Sequence, residues 1–143
     1  MRALPVEIPE NLKNIRIILF EPQEPGNIGQ SARAMKGMGL SELVLVNPVD
    51  WRDGDEAWKL ACASHDILEN CLEVPTLTEA LDGVEYLVGT THRKRRGKLS
   101  PPIVAVKAAK LIAKRSQNQK IALLFGREDR GLTNDQLSMC QIY

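Results

Sequence analysis

Three short stretches carry the residue types that chemistry uses. The first, Asn27-Ile28-Gly29-Gln30-Ser31-Ala32-Arg33, sets an amide, a glycine and a guanidinium in an N-x-G-x-x-x-R pattern. The second runs from Gly89-Thr90-Thr91-His92 into Arg93, Lys94, Arg95, Arg96 and Lys98. The third, Phe125-Gly126-Arg127-Glu128-Asp129-Arg130-Gly131-Leu132, reads F-G-x-E-x-x-G-L. Arg33 offers a planar fork of donors that stays charged at neutral pH. It suits a phosphate, or an oxygen that is acquiring negative charge. The five cations within residues 92–98 repel one another, and phosphates relieve that repulsion while releasing counterions. Gly126 and Gly131 let the backbone come close to a ligand after a strand. Each stretch also has a plainer reading. Asn27 is a candidate helix N-cap with Gln30 three residues on, Arg33 a solvated charge, residues 92–98 a wet turn, and the two glycines turn punctuation.

These residues need elements to position them. Residues 15–20, "IRIILF", are a β-branched run with the character of a buried strand. Residues 41–48, 84–91 and 120–126 read as three further strands. Residues 27–38 have helical spacing, with Ile28, Ala32 and Met35 on one stripe and Gln30, Arg33 and Gly37 on another. The pattern predicts other helices near 56–63, over 77–83 with Thr78 as cap and Gly83 as stop, over 103–115, and from Thr133 onward. In the helix over 103–115, Val104, Ala108, Leu111 and Ile112 form the apolar face and Lys107, Lys110 and Lys114 the wet one. Residues 1–14 read as a loosely held lead-in. The two prolines of residues 21–26 argue for a loop there. Apolar strands alternating with amphipathic helices predict an α/β fold, a parallel sheet with helices on both faces. In such sheets ligands sit at the carboxyl ends of the strands, where all three stretches fall.

Composition bounds the remaining readings. A chain of 143 residues, 43% hydrophobic and 26% charged, fits one globular domain with a real core. No apolar run approaches the ~20 residues of a membrane span. The start lacks the apolar core of a signal peptide. Cys62, Cys71 and Cys140 are odd in number and lack C-x-x-C spacing, which fits small buried residues in a reducing cytoplasm. Cys62, His65 and Cys71 form only a loose metal pattern with no second ligand pair, so no metal is expected. There is no phosphate-binding GxxxxGK[ST], and the Gly37-Met38-Gly39 pair sits at a helix end rather than a helix start. No G-x-S-x-G nucleophile turn is present.

The three stretches in this order, with "ARAMKGMGL", "LVLVNP", "LVGTT" and "LLFGRE…GLTN" between and around them, resemble the SpoU/TrmH family of SPOUT methyltransferases, and within it the TrmJ-type subgroup. The resemblance implies 2′-O-methylation of a ribose in tRNA or rRNA, with S-adenosylmethionine as methyl donor. It implies a homodimer and a C-terminal trefoil knot in the complete chain. It places Asn27, Arg33 and Glu128 at the catalytic centre, with Arg33 activating the hydroxyl. The cofactor is expected against Thr90, Thr91, His92 and Gly126, and RNA against Arg93, Lys94, Arg95, Arg96 and Lys98. Residues 1–143 are expected to form a single SPOUT domain that lacks the family's third motif, an S-x-N loop after a further strand. That strand is expected to start at the "SMCQIY" end, within a longer chain. The alternative is a non-catalytic α/β module that binds RNA through its basic loop.

Overall fold

The computed structural model describes residues 8–91 and 105–143. A short 3-10 turn, Glu10–Asn14, leads into β1 (Ile15–Phe20), α1 (Pro25–Met38) and β2 (Glu42–Val46). Two short helices follow, α2 (Glu56–Ala61) and α3 (His65–Asn70), then β3 (Leu72–Val74), α4 (Leu77–Ala80) and β4 (Tyr86–Gly89). The chain closes with α5 (Ala105–Arg115), β5 (Ile121–Phe125) and α6 (Asn134–Ser138).

All five strands are parallel, in the order β3-β2-β1-β5-β4. The chain winds outward from β1 through β2 to β3, then crosses to build the other half from β5 and β4. The reversal point is the pair β1–β5, registered Ile15↔Ile121 through Leu19↔Phe125. Alternation along each strand separates two apolar faces. Ile15, Ile17, Leu19, Leu43 and Leu45 pack against α1, α2 and α3 through Ile28, Ala32, Met35, Ala57, Ala61, Ile67 and Leu68. Ile18, Val44, Val46, Ala122 and Leu124 pack against α4 and α6 through Leu77, Ala80 and Leu137. The expected two-faced α/β sheet is therefore present.

The sequence expectation needs several corrections. The helix α1 starts at Pro25, because proline is tolerated where its missing N–H has no partner to lose. Its N-cap position is Glu24, so Asn27 lies inside the first turn and does not cap it. Thr76, not Thr78, caps α4, its side chain accepting from the N–H of Glu79 at 3.3 Å. The lead-in is anchored over residues 10–14. Asn11 donates to the hydroxyl of buried Ser116 at 3.0 Å, and Asn14 to the carbonyl of Ser116 at 2.7 Å. The helix α3 and strand β3 lack any strong pattern, and Leu72 is 56% exposed on the sheet edge. Three of the four residues of the expected apolar face of α5, Ala108, Leu111 and Ile112, are half-buried, and Val104 lies outside the described residues.

The end of the chain adds to the sheet. Gln141 donates its N–H to Leu87 O at 2.9 Å and its side-chain oxygen accepts from the N–H of Leu87. Gly89 donates to Ile142 O at 2.9 Å, and Ile142 bridges Val88 in parallel sense. Residues 141 and 142 thus bridge β4, and Tyr143 is buried in the α6 face. Among the described residues no helix is long and apolar enough to cross a membrane.

One close approach fixes how α1 sits. A Cβ on Gly29 would lie 2.1 Å from the carbonyl oxygen of Ala57 in α2. Alanine ordinarily favours a helix over glycine by about 1 kcal/mol. Here the overlap is with backbone, which cannot swing aside, and overpacking costs about 1–3 kcal/mol or more. Gly29→Ala is therefore expected to lower the chemical-denaturation midpoint, despite its better helix propensity. A midpoint equal to or above that of the natural sequence would show that α2 yields freely.

Candidate functional site

The carboxyl ends of β1 and β5 lie side by side, so the loops that follow them meet. Between α1 and the β5 loop is a cleft of about 330 Å³, whose lining includes Asn27, Gln30, Ser31, Phe125, Gly126 and Glu128. Across the β5 loop is a second hollow of about 300 Å³, lined by Thr90, Thr91, Phe125, Gly126, Arg127, Glu128 and Gly131. The two share Phe125, Gly126 and Glu128 and flank one tight turn. That turn closes with the N–H of Gly131 on Arg127 O at 2.7 Å. A Cβ at Gly126 would sit 2.2 Å from the carbonyl carbon of Gly131, so only glycine permits the turn.

Expected site residues fall as follows. Thr90, Thr91 and Gly126 come together in the second hollow. Thr90 is fixed by its N–H and its hydroxyl, both donating to Leu124 O, at 3.1 and 3.0 Å. Asn27 and Glu128 both line the cleft. Asn27 donates its side-chain amide to Glu24 at 3.3 Å, and its carbonyl accepts from the Ser31 hydroxyl at 2.7 Å. Arg33 is exposed on α1, between Gln30 and Ala34, which both line the cleft. It makes no ion pair or hydrogen bond among the described residues. His92, Arg93, Lys94, Arg95, Arg96 and Lys98 lie outside the described residues.

Glu128 has a task the sequence did not suggest. Its carboxylate accepts from the backbone N–H of Gln23 at 2.8 Å, tying the β5 loop to the β1 loop across 105 residues of sequence. Gln23 in turn donates its side chain to Glu21 O at 2.7 Å. The β1 and β2 loops are joined as well. Val49 donates to Pro22 O at 3.0 Å, and the side chain of Asn47 to the carboxylate of Glu21 at 3.3 Å. Glu21 and Asn47 hold left-handed backbone, φ 47° and 45°. That conformation costs roughly 1–2 kcal/mol for a residue other than glycine, and asparagine tolerates it better than glutamate. The repeated pattern of a strand followed by X-Pro, Glu21-Pro22 and Asn47-Pro48, was the one available signal for this pair of tight exits.

Charges on the β5 loop are internally matched. Arg127 grips Asp129 with two bonds, at 3.0 and 2.9 Å. The hydrogen bond from Arg127 holds the Asp129 carboxyl below its usual range. The same bond, with the nearby carboxylates of Glu21 and Glu128, keeps Arg127 firmly protonated. Elsewhere, the loose Cys62, His65 and Cys71 pattern is otherwise engaged. His65 Nε2 pairs with Trp58 O at 2.6 Å, and Arg52 donates to the sulfur of Cys71 at 3.7 Å. Among the described residues no group of three such side chains could hold a metal ion.

Beneath the second hollow, Cys140 packs against the end of β4. A Cβ on Gly89 would meet its sulfur at 2.8 Å. Burial pushes the Cys140 thiol up to about 11. The thiolate is the reactive form, so Cys140 is expected to resist alkylation at pH 8, whereas exposed Cys62 reacts first. Timed iodoacetamide labelling with peptide mass spectrometry checks the order. Cys140 modified as fast as Cys62 would show that α6 opens readily.

Comparison with known proteins places this geometry. Residues 14–143 match the model of the SpoU rRNA Methylase family. The chain is 42% identical over 134 residues to the tRNA (cytidine/uridine/adenosine-2′-O-)-methyltransferase TrmJ of Pseudomonas aeruginosa, covering 92% of this chain and 51% of that protein. It is 42% identical to the tRNA (cytidine/uridine-2′-O-)-methyltransferase TrmJ of Pectobacterium atrosepticum, covering 92% and 54%. The crystal structure of TrmJ from Z. mobilis ZM4 superposes with a TM-score of 0.80 at 33% identity, over 89% of this chain and 55% of that one. The chain spans about half the length of the curated relatives it matches.

Proposed function

The chain belongs to the SpoU rRNA methylase family, and from that premise we propose that it transfers a methyl group from S-adenosylmethionine to the 2′-hydroxyl of a ribose in tRNA. The observation that carries the reading is the meeting of the Asn27–Arg33 helix with the Thr90–Gly126 hollow at the β1–β5 reversal point. Such reversal points are where parallel α/β sheets bind ligands. Two relatives named as tRNA 2′-O-methyltransferases favour tRNA over rRNA. The resemblance adds a homodimer, and tRNA as substrate suits the cytoplasm.

The residues present fit one face of the cofactor. The Gly126 turn is bare of side chain, Phe125 is 38% exposed beside it, and Thr90 and Thr91 face the same hollow. Backbone at Thr90, Thr91 and Gly126 would hold the cofactor, with His92 next in sequence. Bound there, the cofactor supplies an electrophilic methyl group. The chain must then hold the hydroxyl oxygen about 3–3.5 Å from that carbon and favour negative charge on it. The guanidinium of Arg33 has no competing partner among the described residues, so its fork is available for the ribose oxygen or the adjacent phosphate. It does not accept the hydroxyl proton, because guanidinium stays charged at neutral pH. Asn27 and Gln30 present amides to the same cleft. Glu128 acts as a positioning residue, holding the β5 loop against the β1 loop. The basic residues Arg93, Lys94, Arg95, Arg96 and Lys98 supply phosphate contacts by charge.

The test is transfer of labelled methyl from S-adenosylmethionine to an unmodified tRNA transcript by the full-length protein. Arg33→Ala is expected to lower the single-turnover rate roughly 100-fold or more, the usual loss of one charge-stabilising donor. Cofactor affinity, measured by titration calorimetry, should stay within a few-fold. Arg33→Lys should recover little, since a point charge does not reproduce a two-pronged contact. Turnover like that of the natural sequence would remove Arg33 from the chemistry. Binding of tRNA without any methyl transfer would favour the alternative of an RNA-binding module.

Replacing Arg93, Lys94, Arg95 and Arg96 by serine is expected to flatten the salt dependence of tRNA binding. Every cation withdrawn from a phosphate reduces the slope of log K against log salt by about 0.7–0.9. An unchanged slope would make residues 92–98 a solvated turn.

A further inference from the structure

The chain is nearly neutral overall, but its charge is sharply divided. Residues 92–120 hold ten of the 19 lysines and arginines and none of the 18 aspartates and glutamates. The rest of the chain therefore carries nine cations against 18 acids. Four of the ten cations lie on α5, whose eleven residues include no acid. Lys107, Lys110 and Lys114 are all exposed. Their spacing of three and four residues puts them on one face of the helix, spanning about 10 Å at ~1.5 Å per residue.

A plain reading of such a stripe is solvation, or compensation of the helix dipole. The dipole accounts for Lys114 and Arg115 in the last turn, but not for Lys107 and Lys110, which lie further toward the N-terminus where cations are disfavoured. Ion pairing does not account for them either. Two other exposed lysines meet carboxylates, Lys36 meeting Asp66 at 2.8 Å and Lys13 meeting Glu10 at 3.1 Å. Lys107, Lys110 and Lys114 make no ion pair among the described residues. Like charges one turn apart destabilise a helix, so three without a carboxylate between them cost stability that a polyanion recovers. At its C-terminal end the stripe runs into a groove of about 450 Å³, lined by Leu111, Lys114, Arg115, Asn118 and Gln119. Arg115 stacks its guanidinium 4.1 Å from the centre of the Tyr86 ring, which anchors that end of the groove.

We propose that the exposed face of α5 is an RNA-docking surface in which Lys107, Lys110 and Lys114 contact the phosphate backbone away from the reacting ribose. This inference rests on the RNA reading above and extends it to a helix outside the cleft. RNA is the occupant the charges favour, since three aligned cations on a rigid rod match a repeating line of negative charge. Such contacts fix the position of the RNA without reading its sequence, so they act on binding and not on the chemical step.

The experiment compares the full-length protein with the variants K107A/K110A/K114A and K13A/K36A/K59A, the second neutralising three exposed lysines elsewhere. Binding of an unmodified tRNA transcript is followed by fluorescence anisotropy across a salt series. The α5 variant is expected to reduce the slope of log K against log salt by about 2 to 3, from 0.7–0.9 for each phosphate neutralised. It should raise KM for tRNA while leaving the saturated rate and the affinity for S-adenosylmethionine unchanged. Circular dichroism verifies folding, and alanine is the strongest helix former, so α5 is retained. The second variant should leave the slope as it is in the natural sequence. An unchanged slope in the α5 variant, or an equal loss in both variants, overturns the proposal. So does a variant that keeps tRNA binding but loses binding to vesicles of anionic phospholipid, which would make the stripe a membrane contact. A natural protein that binds tRNA with this α5 dependence but transfers no methyl group defeats the catalytic reading alone. One that methylates tRNA with an unchanged α5 slope defeats this inference alone.

Discussion

The pairing of β1 with β5 is the constraint on which the rest of the site depends. Five parallel registers, Ile15↔Ile121 to Leu19↔Phe125, bring together two loops that are about a hundred residues apart in sequence. Parallel pairing needs a crossover between the strands, and here the crossover contains most of the protein. Because β1 is central and the chain winds away from it in both directions, no connection among the described residues covers the space above its carboxyl end. The cleft and the hollow open there. The bond from the N–H of Gln23 to Glu128 then locks the two loops in one position.

Around that pair the loops form a connected set. The β2 loop leans on the β1 loop through Val49 and Asn47, and the β1 loop holds the β5 loop through Gln23. Two residues other than glycine keep left-handed backbone to make this possible. Strain of that kind persists when surrounding bonds over-determine it, and each of these residues also donates its N–H to a neighbouring strand, Glu21 to Val46 and Asn47 to Val74. On the other side, α1 is pressed onto α2 where Gly29 meets the carbonyl of Ala57. Asn27 and Arg33 therefore sit on a helix that is held at its start by a loop and along its length by a neighbour. In the proposed mechanism, where the Arg33 guanidinium meets a ribose oxygen, that support fixes its position.

The division of charge follows the division of labour. The acid-rich part of the chain builds the sheet, with Glu10, Glu42, Asp66 and Asp129 in ion pairs and Glu21 and Glu128 in loop clasps. The acid-free stretch of residues 92–120 lies in sequence between β4 and β5. It includes the lysine face of α5.

By itself the sequence determined the strand β1 to the residue, the exposed placement of Arg33 and the buried stripe of Ile28, Ala32 and Met35. These are local periodicities, and a burial pattern with a period of two or of about 3.6 is written in neighbouring residues. Three short stretches in order also carried the family resemblance, and Thr90, Thr91 and Gly126 did come to line one hollow. Tertiary structure decided what depends on distant partners. Nothing near Glu128 announces that it would accept from Gln23, nothing near Gly29 that Ala57 would press on it, and nothing near Gln141 that its side chain would bond the backbone of Leu87. The edge strand β3 was equally illegible, since a three-residue strand exposed on one side has too few apolar positions to repeat. The role of Glu24, rather than Asn27, as the N-cap position of α1 has the same origin. Pro25 could open the helix because the chain leaving β1 already turned there, and that turn was set by Glu21 donating its N–H to Val46 and Pro22 accepting from Val49.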